Sequence, residues 1–92
     1  MKRLKYDAVT TSTLVAATVT KMLDGDKNAT MLILSNKTGA AAEWMIAASA
    51  PAGVDNMHVI QDGACLFIDY ASDQNVYAHS TGGGKVSASF AR

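Results

Sequence analysis

The chain predicts an all-β fold, a small single-domain antiparallel β-sandwich or barrel of about seven or eight short strands. Three observations predict it. Short β-branched and aliphatic runs recur along the chain, divided by turn residues roughly every 8 to 12 positions. Helical periodicity never lasts three turns, and capping boxes before apolar stretches are absent. At 92 residues, 49% hydrophobic and 17% charged, the chain is apolar enough to fold but too short for a second core.

The elements follow in order. The segment "YDAVT" reads as an additional edge strand, so residues 1–9 form an N-terminal arm or edge strand and 10–92 the sandwich domain. "LVAATVT" (14–20) is the first strand of that domain, closed by the polar stretch "LDGDKN". "TMLILSN" (30–36) is apolar at both parities, which predicts a central strand covered on both faces. "EWMIAA" (43–48) follows, with Trp44 and Ile46 on one face as core anchors. A helix competes over 38–50, where Ala, Glu and Met are good formers, but Gly39 and Pro51 confine it and its apolar residues fall all round.

"MHVIQ" (57–61) runs into Asp62-Gly63, the dipeptide best suited to a type I′ hairpin. In "ACLFIDY" (64–70), Leu66, Ile68 and Tyr70 share one face, and Cys65, Phe67 and Asp69 the other. "VYAHS" (76–80) and "KVSASF" (85–90) flank the triple glycine, which reads as the turn of a C-terminal hairpin. In the last strand Val86, Ala88 and Phe90 point one way and Ser87 and Ser89 the other, the alternation of a half-exposed strand.

Gly82-Gly83-Gly84-Lys85 lacks a P-loop's other parts: His79 stands where the first glycine belongs, Val86 where the hydroxyl belongs, and a strand alternation follows instead of a helix. "DGDKN" sets Asp24, Asp26 and Asn28 at calcium-loop spacing, but Ala29 and Ser35 replace the required Gly and Glu, so it reads as a polar loop. His58 and His79 lie in separate strand-like runs, and a site with Asp62, Asp69 or Asp73 would need strands to bring them together. Cys65, the lone cysteine, reads as a small buried hydrophobe within an apolar run. No catalytic grouping, metal or cofactor is expected, and the chain is not expected to be an enzyme.

Zero formal net charge gives no field toward nucleic acid or acidic lipid, and it favours self-association. The basic start with its Thr-rich continuation is not expected to be a signal peptide, and no apolar run reaches the ~20 residues of a spanning helix. At the N-terminus Lys2, Arg3 and Lys5 surround Leu4 and Tyr6, which suits either a solvated, frayed end or an arm that docks into an acidic protein groove.

The succession "TLVAAT", "ATMLILSNKTG", "EWMIAASAPAG", "HVIQDGACLFIDY" and "VYAHSTGGGKVSASF" resembles small β-sandwich virion proteins of tailed bacteriophages, over about residues 12 to 91. The resemblance implies a structural virion protein, foremost a head decoration (cement) protein on the capsid surface, assembled in the host cytoplasm. Its partners would be the major capsid protein or other virion proteins, and further copies of itself as a trimer or dimer. The regions "VYAHS" and "YDAVT" are then the candidate edge strands for pairing between subunits. "MKRLKYDAV" has no counterpart in that family. A tail, neck or fibre component that binds a receptor or carbohydrate is the alternative, with Trp44, Tyr70, Tyr77, Asp69, Asp73, Gln74 and Asn75 as its candidate contacts.

Overall fold

The structure, a computed structural model, describes residues 5–92. Its strands are β1 (Thr10–Leu14), β2 (Thr20–Leu23), β3 (Met31–Lys37), β4 (Ala42–Ala47), β5 (His58–Ile60), β6 (Cys65–Asp69), β7 (Asn75–His79) and β8 (Gly84–Ala91). They form two antiparallel four-stranded sheets, of order β1-β8-β3-β6 and β2-β7-β4-β5. β1 pairs with β8, β2 with β7, β3 with β6 and β4 with β5. The chain is thus one long antiparallel hairpin, rolled so that successive pairs alternate between sheets. This is the jelly-roll arrangement, a sandwich of two Greek keys.

Period-two alternation places the core between the sheets. On β3, Leu32, Leu34 and Asn36 are buried inward, and on β8 Val86, Ala88 and Phe90 meet them. Val76, Ala78, Ala42 and Ile60 answer from the second sheet. Leu66 and Ile68 pack against this cluster from β6. Tyr70 closes one end, its ring 4.7 Å from that of Phe90. Its hydroxyl donates to the Gln74 carbonyl at 2.6 Å and accepts from the Asp26 amide at 3.3 Å. Trp44 and Ile46 do share a face against the core, with Trp44 at its margin, stacked on His58 at 4.6 Å. No helix occurs among the described residues, and 42–47 is strand.

Several elements differ from the sequence reading, each for a tertiary reason. Residues 14–20 are not the first strand. Leu14 ends β1, and the chain turns through 15–19, where Ala17 has φ 55° and its amide donates to the Ser80 carbonyl. The strand is the polar "TTSTL", since an edge strand with a solvent-facing side needs few apolar residues. The Asp62-Gly63 turn is not a type I′ hairpin: only Gly63 has positive φ, and β5 and β6 lie in different sheets. Asn36 anchors this crossing by accepting the Gly63 amide on its carbonyl.

The triple glycine is likewise no hairpin turn, because it carries the chain from β7 in one sheet to β8 in the other. Gly83 and Gly84 have φ of 75° and 112°. Ser80 stitches the turn, its carbonyl accepting from the Gly83 amide and its hydroxyl donating to the Gly83 carbonyl at 2.9 Å. β8 is not half-exposed. It lies between β1 and β3, and its small Ser87 and Ser89 are buried. Nor is "VYAHS" an edge, since β7 is flanked by β2 and β4.

Candidate interaction surfaces

The candidate site residues at the N-terminus divide at the limit of the described chain. Lys2, Arg3 and Leu4 lie outside the described residues, and Lys5 and Tyr6 lie inside them. The Lys5 amide donates to the Arg92 carbonyl, the Arg92 amide to the Lys5 carbonyl at 2.8 Å, and the Asp7 amide to the Phe90 carbonyl at 2.9 Å. Tyr6 sits across from Ala91 and is 62% exposed. Residues 5–7 therefore extend the β1 edge of the first sheet along the end of β8. The Arg92 guanidinium locks this addition, reaching Asp7 at 2.8 Å and Asp26 at 2.6 Å. Its pKa is raised by the hydrogen bond to Asp7 and the nearby charge of Asp26.

The first sheet presents a second surface on its outward face. Antiparallel register sets its side chains in rows: Phe67 with Ile33 and Ser89, Cys65 with Ser35 and Ser87, Asp69 with Met31 and Ala91. Thr11 lies beside Ser87, and their hydroxyls bond at 2.9 Å. Lys37 and Lys85 pair at one end of the face. Phe67 is 65% exposed. Cys65 is exposed, not buried, because it shares the parity of Phe67 and Asp69 on this outward face. That parity was legible in the sequence. Which parity faces water was not.

The two histidines do not converge. His58 lines up with Trp44 and Ala78, whereas His79 points from the opposite face of the same sheet. There His79 Nδ1 meets Glu43 Oε1 at 2.7 Å, a partner the sequence reading did not name. Asp24 pairs with Lys21 at 2.7 Å, and the hydrogen bond and charge of Asp24 raise the Lys21 pKa. Asp26 Oδ1 accepts the Asn28 amide, so the calcium-like spacing folds into a self-satisfied turn. Among the described residues, no three candidate metal ligands gather. A shallow cavity of about 370 Å³ lies under the 51–56 loop, against Met45.

Among the carbohydrate candidates, Tyr70, Gln74, Asn75 and Tyr77 lie together, joined by hydrogen bonds. Tyr70 and Tyr77 are buried, and the buried Trp44 Nε1 has no hydrogen-bond partner among the described residues. Asn75 holds the neighbouring loops together, its Oδ1 accepting the Gly25 amide and its Nδ2 reaching the Tyr77 hydroxyl. No protein-family model matches the chain, and no curated protein matches it significantly.

Proposed function

We propose that the chain is a structural protein of a tailed-phage virion: a head decoration protein that binds the major capsid protein at the capsid surface and stabilises the shell. The observation that carries this reading is the outward face of the β1-β8-β3-β6 sheet. It sets Thr11, Ser35 and Cys65 beside the larger Met31 and Ile33, with Phe67 and Tyr6 standing out from it. Such a face suits contact with another protein, where aromatic side chains fill pockets and a polar rim sets register. The jelly-roll order supports the reading by analogy, since viral capsid proteins use that architecture. Lectin domains use it as well, and fold by itself assigns no function.

Repetition on a symmetric shell would multiply a modest single contact into firm attachment. The receptor- or carbohydrate-binding alternative has less support, because two of the three aromatic residues it drew on, Tyr70 and Tyr77, are buried, and Trp44 packs against the core. The test is to mix the purified protein with undecorated heads and measure binding and resistance to heat. Stoichiometric binding, weakened by Tyr6→Ser, with a higher temperature of shell disruption is the expected result. Absence of binding at micromolar protein would remove the proposal, and glycan binding by the isolated chain would favour the alternative.

A further inference from the structure

The four sheet edges are not alike. β2 carries a register break between Lys21 and Leu23, and β5 has only three residues. β1 loses register with the segment before it: continuing the Thr10↔Ala88 pairing would set Asp7 across from Ala91, where Tyr6 sits instead. Bulges, brevity and charged side chains, lysine above all, are the usual guards against edge-to-edge pairing. β6 has only Asp69, at its C-terminal end. It is five residues long, pairs with β3 without a break, contains neither Pro nor Lys, and exposes Phe67 at its centre.

The hydrogen-bond parity of β6 is fixed at both ends. The Ala64 carbonyl accepts from the Asn36 amide, and the Tyr70 amide donates to the Thr30 carbonyl. Residues 64, 66, 68 and 70 therefore bond to β3, and the amides and carbonyls of Cys65, Phe67 and Asp69 face away from it. Among the described residues nothing accepts from or donates to them.

We propose that β6 pairs antiparallel with β6 of a second copy of this chain, about a two-fold axis at Phe67, joining two first sheets into one continuous sheet. Only a register centred on Phe67 uses all three outward amide–carbonyl pairs of both strands, with Phe67 opposite its counterpart and Cys65 opposite Asp69. The two phenylalanines then form a cross-strand aromatic pair on the outward face. No acid meets an acid, as Asp69 would in a parallel, in-register pairing. Zero net charge leaves no long-range repulsion between copies. The inference goes beyond the capsid reading and does not depend on it.

Sedimentation velocity of the full chain from micromolar to millimolar concentration tests this. A concentration-dependent dimer is expected. Phe67→Pro should leave far-UV circular dichroism unchanged, because the lost amide is unused in the monomer and an edge strand tolerates proline there, yet abolish the dimer. Phe67→Cys in a Cys65→Ser background should form a covalent dimer on oxidation, since paired Cα atoms at about 5.5 Å suit a disulfide. Cys65 in the wild type should not, because the two copies of Cys65 would lie about 14 Å apart along the strands. The crosslinking comparison decides the matter should Phe67→Pro fail to fold. A wild-type monomer at every concentration, a dimer that survives Phe67→Pro, or crosslinking through Cys65 would overturn the proposal. An intact dimer that fails to bind heads counts only against the capsid reading.

Discussion

Asn36 has no exposed surface, yet every polar atom of its side chain is used. Its Nδ2 donates to the Ala40 carbonyl at 2.8 Å and the Ile60 carbonyl at 3.0 Å, while Oδ1 accepts from the Thr38 amide and hydroxyl. One side chain thus ties the end of β3, the 38–41 turn and the end of β5. Each buried group left without its partner costs about 1–3 kcal/mol. We expect Asn36→Ala to destabilise the protein by about 3 kcal/mol in urea titration; a loss under about 1 kcal/mol would show that the network is incidental.

The glycines of the last turn are separable at the same scale. A Cβ on Gly83 would lie 2.9 Å from the Leu14 carbonyl oxygen, and one on Gly84 2.9 Å from Thr38 Cα, both in left-handed backbone. Gly82 has open space and ordinary φ. Gly83→Val and Gly84→Val should each cost more than about 2 kcal/mol, and Gly82→Ala less than about 0.5. Equal effects at the three positions in thermal melts would contradict this ranking.

Among the elements, the short addition at residues 5–7 is the one held chiefly by its own ties. Its backbone bonds reach only the end of β8, and its charge clamp is solvent-facing. Exposed ion pairs contribute little to global stability and weaken with salt. Arg92→Ala should therefore leave the melting temperature within a few degrees of wild type. Hydrogen exchange at the Lys5 and Asp7 amides should rise about tenfold, while the Ser87 and Ser89 amides, which face β3, remain protected. Unchanged exchange at Lys5 and Asp7 would show that the guanidinium does not hold the addition. High salt should have the same effect as the mutation.

At the scale of the whole molecule, pairing joins distant parts of the chain. β1 and β8 pair at opposite ends of the sequence, and β2 and β7 nest inside them. Such non-local pairing makes folding slow, since loop-closure entropy precedes the contacts that offset it. Neither sheet can bury its inward face without the other. Unfolding should be a single transition in which Trp44 fluorescence and far-UV circular dichroism coincide, with refolding in milliseconds to seconds. Separate transitions for the two probes would mean that one sheet stands alone.

What the sequence determined by itself is local. The alternation in "CLFID" set Leu66 and Ile68 against Phe67 and Cys65, the runs in β3, β4 and β6 announced strands, and the spacing at Gly82–Lys85 departs from a P-loop. Each depends on neighbours in the chain, through the two-residue period of an extended backbone or the demands of a motif. Only the tertiary structure decided that Asp62-Gly63 and the triple glycine cross between sheets, that polar "TTSTL" is a strand while the apolar "VAATV" after it turns, and that β7 lies inside while β6 is an edge. Hairpin and crossing use the same turn residues, and an edge is defined by a neighbour that is missing. Both follow from how the rolled hairpin closes over its core, which is a property of all eight strands together.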